Sequence, residues 1–192
     1  METKIRNILA EHISVAEKVL GDNELQMQIK QACGLLIEAF KSDKKVLLCG
    51  NGGSAADAQH IAAELSGRFM LNRPALFAEA LHVNSSYMTA VSNDFGFDET
   101  YKRLVQGFGR EGDILIALST SGNSENIVAA AQEALKSGMK VIGLSGKSGG
   151  KLKDASTLSI QVPSQSVPRI QEMHILIGHI ICEIVEETLF SN

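Results

Sequence analysis

Apolar residues recur at helical spacing through Ile5, Ile8, Leu9, Ile13, Ala16 and Leu20, until Gly21-Asp22-Asn23 breaks the pattern. A second helix is predicted from about Leu25 to Phe40, with Ile29, Ala32, Leu36 and Phe40 on one face. Neither helix carries obvious chemistry. Segment 1–42 is therefore expected to pack on the rest of the domain or on a neighbouring subunit.

From Lys44 the pattern changes. Val46-Leu47-Leu48-Cys49 is a continuous apolar run that ends in Gly50-Asn51-Gly52-Gly53-Ser54, and a helical segment follows to Leu65. Asp113 to Leu118 repeats the scheme, ends in Ser119-Thr120-Ser121-Gly122-Asn123-Ser124 and leads into a helix to about Ser137. Lys140 to Leu144, Leu76 to Leu81 and Leu158 to Val162 complete a predicted set of five strands. Wholly apolar strands alternating with helices predict a parallel sheet covered on both faces, an α/β fold. Pro168, suited to a first helical turn, opens a last helix to about Phe190, with Ile170, Met173, Ile177, Ile181, Ile184 and Val185 forming a wide apolar face. No linker or repeat divides the 192 residues, so one domain is expected over 1–192.

Composition narrows the function. Hydrophobic residues make up 44% of the chain and the formal net charge is −4, without a basic tract, which argues against a nucleic-acid partner. An anionic ligand stays open, because backbone N–H groups bind phosphate without a basic surface. Cys33, Cys49 and Cys182 match neither a disulfide framework nor a cysteine zinc site and read as buried thiols of a reducing compartment. The amphipathic start METKIRNILAEH is not a secretory signal, and no apolar run approaches the ~20 residues of a membrane span. A cytoplasmic location without membrane contact is expected.

Ligands of open parallel sheets sit beyond the carboxyl ends of the strands, where both unusual loops fall. The loop Ser119 to Ser124 offers hydroxyls, flexible backbone and a helix N-terminus, an arrangement suited to phosphate. The plainer reading is a helix N-cap, for which one serine suffices. Gly50-x-Gly52-x-x-Ala55 fits a dinucleotide fingerprint, but two helices precede it and no acidic residue follows at the required distance. Close backbone approach to a smaller ligand is the reading adopted.

His60 and Glu64 stand one helical turn apart and could grip a divalent metal, or form an ordinary solvated pair. On the last helix, Gln171 and His179 lie about 80° apart around the axis and two turns apart along it. His179 sits among apolar residues, where a lone histidine is commonly a core residue. His82 and His174 carry the same plain reading, and His12 reads as a surface residue.

Cys49-Gly-Asn-Gly-Gly-Ser54, Ala55 through Glu64, Asn93-Asp94-Phe95-Gly96, Ser119 to Ser124 and Arg169-Ile-Gln-Glu-Met-His174 together resemble the sedoheptulose 7-phosphate isomerases, a branch of the sugar-isomerase (SIS) domain proteins. The resemblance covers nearly the whole chain. It implies a flavodoxin-like three-layer fold and a homotetramer with active sites at subunit interfaces. It implies one zinc ion per subunit, held by His60, Glu64, Gln171 and His179. It implies that Ser119, Thr120, Ser121 and Ser124 hold the phosphate, and that Asn51, Gly52, Gly53, Ser54, Glu64, Arg68, Asn93, Asp94 and Gln171 contact the sugar. Glu64 becomes the candidate base and His179 the candidate acid of a ketose–aldose isomerisation. The implied reaction converts sedoheptulose 7-phosphate to D-glycero-D-manno-heptose 7-phosphate through an enediol, at the entry to lipopolysaccharide heptose. Some relatives carry an acidic residue where Pro168 stands here. Two rival readings are a non-enzymatic SIS tetramer that binds the replication initiator and a phosphosugar-sensing module. The initiator-binding relatives lack equivalents of Glu64 and His179.

Overall fold

The computed structural model describes residues 1–191. Two long helices, α1 (Glu2–Gly21) and α2 (Asn23–Lys41), precede β1 (Val46–Cys49) and α3 (Gly53–Ser66). Then follow β2 (Ala78–Ala80), α4 (Ser85–Phe95), a 3-10 turn at Phe97–Glu99, α5 (Thr100–Phe108) and β3 (Ile114–Ser119). The chain continues through α6 (Glu125–Lys136), β4 (Lys140–Ser145), α7 (Gly150–Asp154), β5 (Leu158–Gln161) and α8 (Val167–Phe190).

The five strands form one all-parallel sheet in the order β2-β1-β3-β4-β5, the flavodoxin-like order. Side chains alternate across it. Val46, Leu48, Ile114, Ile116, Ile142 and Ile160 face a core shared with α2, α3 and α8. Leu47, Cys49, Leu115, Ala117 and Val141 face a second core shared with α5, α6 and α7. This two-sided burial is why the strands read as unbroken apolar runs.

The two leading helices meet at Asp22, whose side chain accepts from the N–H groups of Glu24 and Leu25, each at 3.0 Å, and so caps α2. The apolar stripe of α1 behaves differently from a packing face. Only Val15 and Val19 are buried on α1, while Ile5, Leu9 and Ile13 are 52%, 58% and 55% exposed. Strand β2 is shorter than the run Leu76–Leu81 suggests and lies at the sheet edge. The region between β2 and β3 holds α4 and α5, whose short amphipathic turns escape a search for long periodic segments. α5 buries Tyr101, Leu104 and Val105.

Candidate active site

The carboxyl ends of β1 and β3 are neighbours in the sheet, with Cys49 paired to Ala117. The glycine loop therefore opens beside the serine loop.

In the serine loop, the Ser119 and Ser124 hydroxyls face each other at 3.0 Å. Ser124 stands at the N-cap of α6, but its side chain makes no bond to the helix. A hydroxyl serving only as a cap would accept from a helical N–H, so this one is directed into the loop. Gly122 has a φ of +67° and leaves no room for a Cβ against the Gly149 carbonyl. The loop is pinned from behind, where Gly146 N–H donates to Thr120 O at 3.0 Å and Leu152 N–H to Gly122 O at 2.9 Å. Ser121 is exposed, and its Oγ accepts from Asn123 N–H at 3.1 Å.

The glycine loop is held by two side chains that periodicity did not single out. Tyr101 donates its buried hydroxyl to Gly50 O at 2.6 Å, and burial, with the nearby Cys49 thiol, drives the phenol's pKa upward. Asn126, in the first turn of α6, forms a reciprocal amide pair with Asn51, with both N–H···O distances at 2.9 Å. Ser54 is buried at the start of α3. A Cβ on Gly53 would stand 2.5 Å from Gln171 Nε2, so glycine lets the amide of α8 reach the mouth of the loop.

Glycine also closes the other end of this helix pair. A Cβ on Gly178 would stand 2.5 Å from Ile61 Cδ1, so α3 and α8 approach closely at that point. The approach brings His60, Glu64 and His179 together, with one donor atom of each within 4.8 Å of the others. His179 Nε2 lies 3.1 Å from His60 Nε2, and His60 Nε2 lies 3.2 Å from Glu64 Oε1. Donors bound at about 2.0–2.2 Å around one tetrahedral ion stand roughly 3.3 Å apart. The two nitrogens and the carboxylate are spaced so that they could hold one metal ion. Phe69 adds an apolar wall, its ring centroid 5.7 Å from that of His179.

The loop after α3 locks this seam. Glu186 of α8 accepts from Phe69, Met70 and Leu71 N–H at 3.0, 2.6 and 2.8 Å and from Arg73 Nε at 2.9 Å. Burial raises the Glu186 carboxyl, but these donors outweigh it and the net direction is down. Arg73 in turn donates to the carbonyls of Leu65 and Glu64, each at 2.8 Å. The guanidinium thus caps the end of α3 while its carboxylate partner belongs to α8.

The remaining candidates divide. Arg68 is exposed just past α3. Asn93 and Asp94 are exposed near the end of α4, where Asn93 Nδ2 donates to Asp94 at 2.9 Å. None of the three touches the donor group through a hydrogen bond. Asp57, one turn before His60, has a buried Oδ2 without a partner, and desolvation raises its pKa against the opposing pull of His60. His174 is fully buried, its Nε2–H donating to Ser145 O at 3.2 Å, and burial lowers its pKa to about 4. His82 is half-buried and donates to Gln59 Oε1 at 3.3 Å. His12 lies at the surface, its side chain 43% exposed, with its Nδ1 2.7 Å from Glu172, which also pairs with Arg169. All three cysteines are free and buried, and Cys49 is pushed up to about 12 by desolvation.

The 2-1-3-4-5 parallel sheet carries a hydroxyl-rich loop at the end of its central strand, and the model of the SIS domain matches residues 11–146, which places the chain among the SIS-domain proteins. The chain is 53% identical to a phosphoheptose isomerase of Nitratiruptor sp. over 96% of its own length and 97% of the relative. It is 49% identical to that of Clostridium acetobutylicum over 100% of this chain and 98% of the relative. The solved phosphoheptose isomerase of Neisseria gonorrhoeae superposes with a TM-score of 0.90 at 39% identity, covering 97% of this chain and 98% of that one. The enzyme of Francisella tularensis does so at 0.92 and 38%, covering 96% and 97%. The chain belongs to the phosphoheptose isomerase family.

Proposed function

We propose that the protein isomerises sedoheptulose 7-phosphate to D-glycero-D-manno-heptose 7-phosphate, the entry to heptose biosynthesis, using a site that spans the serine loop and the α3–α8 seam. The observation that carries this reading is the convergence of Glu64 and His179, from two helices, on the same α3–α8 pair whose opening end meets the glycine loop at Gly53 and Gln171. Ser119, Thr120, Ser121 and Ser124, with the free N–H groups that open α6, hold the phosphate. Gly52, Gly53, Ser54 and Asn51 line the sugar, joined by Arg68, Asn93, Asp94 and Gln171.

In the ketose, C2 is the carbonyl carbon and C1 carries the protons to be moved. Glu64 takes a proton from C1 while His179 protonates the C2 oxygen, which yields the enediol. The O1 proton then leaves and C2 regains a proton, so the aldehyde forms at C1 with no net oxidation. Positioned acid–base pairs of this kind contribute roughly 10²–10⁴-fold in rate. His60, Glu64, His179 and Gln171 would hold one zinc ion, and the chemistry such an ion supplies when bound is Lewis-acid polarisation of the substrate oxygens. The exposed apolar stripe of α1 supports assembly with further copies into a homotetramer. Among the described residues, no helix is long and apolar enough to cross a membrane.

The resemblance implies that initiator-binding SIS proteins lack both members of the acid–base pair, which favours the enzyme over that rival. The test is a coupled isomerase assay on five-, six- and seven-carbon ketose phosphates, with and without a chelator. Glu64→Gln keeps an oxygen donor but loses the base, so turnover should fall by at least about 10²-fold with folding unchanged. Full turnover in that variant removes Glu64 from the mechanism.

A further inference from the structure

The Asn51–Asn126 pair joins the two loops that the proposed reaction uses. Asn51 belongs to the loop that leads into α3, the helix of His60 and Glu64. Asn126 belongs to the first turn of α6, directly behind the serine loop. Each amide donates to the other's oxygen at 2.9 Å, and Asn126 is only 2% exposed. Asn126 Oδ1 also accepts from Ile127 N–H at 2.9 Å, which fixes the orientation of its amide on the helix. Tyr101 restrains the same glycine loop at Gly50 O. The strands beneath are adjacent and in fixed register. Above the rigid sheet, the two loops are thus tied to each other by one short polar bridge.

We propose that Asn126 is a positioning residue whose bridge to Asn51 sets the span between the phosphate end and the carbonyl end of the site, and with it the length of sugar phosphate that reacts. This rests on the reading of the serine loop as the phosphate cradle and of Glu64 and His179 as the reacting pair. A ketose phosphate held at one end presents C1 and C2 to that pair only when the intervening carbons match the span. On the proposed reading, it is the seven-carbon chain that matches while the loops are bridged. Once the bridge is removed, the glycine loop gains freedom and the length requirement relaxes. Asn51 already uses one donor and one acceptor on Asn126, so it retains one further N–H and one lone pair for the sugar. The bridge thus also orients what Asn51 offers.

The experiment compares the unsubstituted protein with Asn126→Ala and Asn126→Ser, the second keeping a small hydroxyl group in the first turn of α6. Each is assayed with five-, six- and seven-carbon ketose phosphates, and inorganic phosphate is tested as a competitive inhibitor. Losing a buried amide pair should lower the preference for the seven-carbon over the five-carbon substrate, in kcat/KM, about tenfold. KM for the seven-carbon substrate should rise, while kcat and the inhibition constant of inorganic phosphate stay within about twofold, because the cradle itself is intact. A general loss of structure would instead weaken phosphate and every sugar together, and that outcome overturns the proposal. An unchanged length preference in both variants also overturns it, while the reading of the reaction stands. Absence of turnover in the unsubstituted protein overturns that reading, and the proposal with it.

Discussion

Gly53→Ala separates folding from chemistry at a single atom. Gly53 begins α3 without a positive φ, so the backbone accepts alanine there without strain. The added Cβ would stand 2.5 Å from Gln171 Nε2 and 2.9 Å from its Cδ and Oε1. Ordinary contact is about 3.5–4.0 Å, so the Gln171 amide must retreat by roughly 1 Å. It is the end of a flexible side chain, and its retreat costs the fold little. As the fourth donor of the proposed zinc site, Gln171 would be carried out of bonding range, about 2.0–2.2 Å, by a shift of that size. Zinc affinity and turnover should both fall, by about 10–100-fold, while the thermal midpoint moves by less than about 4 °C. Zinc competition against a chromophoric chelator, the coupled isomerase assay and thermal unfolding followed by circular dichroism read the three quantities. Unchanged zinc affinity and turnover would refute the reasoning. A large drop in midpoint would show instead that Gly53 serves packing.

Three further outcomes follow from the same geometry. Gly122→Ala combines a φ of +67° with a collision against the Gly149 carbonyl and should cost about 1–3 kcal/mol in urea unfolding, with weaker inhibition by inorganic phosphate. Glu186→Gln leaves Arg73 buried without its counter-charge, both side chains being 2% exposed, and should cost about 3–5 kcal/mol in the same assay. His174 takes a proton near pH 6.5 when unfolded but only near 4 when buried, so its contribution is complete above pH 6.5 and is lost as pH falls toward 4. That loss is about 2 kcal/mol by pH 5, and a His174→Asn variant with the same decline between pH 7.5 and 5 would exclude His174 as its source.

The strands were legible because burial on both faces leaves no polar position to blur them, as Val46 to Cys49 shows. His60 and Glu64 were legible because one helical turn brings them together wherever the helix lies. Long-range partners were not. Arg73 and Glu186 look like ordinary charges in sequence, and only the docking of the post-α3 loop on α8 makes them a buried pair. Asn126 looks like a residue of a capped first turn until Asn51 is seen opposite it. Gly178 carried a signal that went unused: a glycine inside an apolar helix calls for a neighbour that needs the space, and Ile61 is that neighbour. The stripe on α1 is plain in the sequence, yet Val15 and Val19 are its buried residues, while Ile5, Leu9 and Ile13 stay exposed. Periodicity reports that a face is apolar, not what covers it.

Helix α8 begins at Val167, well past the last residue matched by the SIS model at 146. Both strand-end loops, the proposed holders of the phosphate and the sugar, lie before that boundary. His179 and the amide beside Gly53 arrive only with the closing segment of the chain. The same helix gives Ile170, Met173, Ile177, Ile181 and Val185 to the core beneath the sheet, so a mutation that unseats it would forfeit the scaffold together with the chemistry.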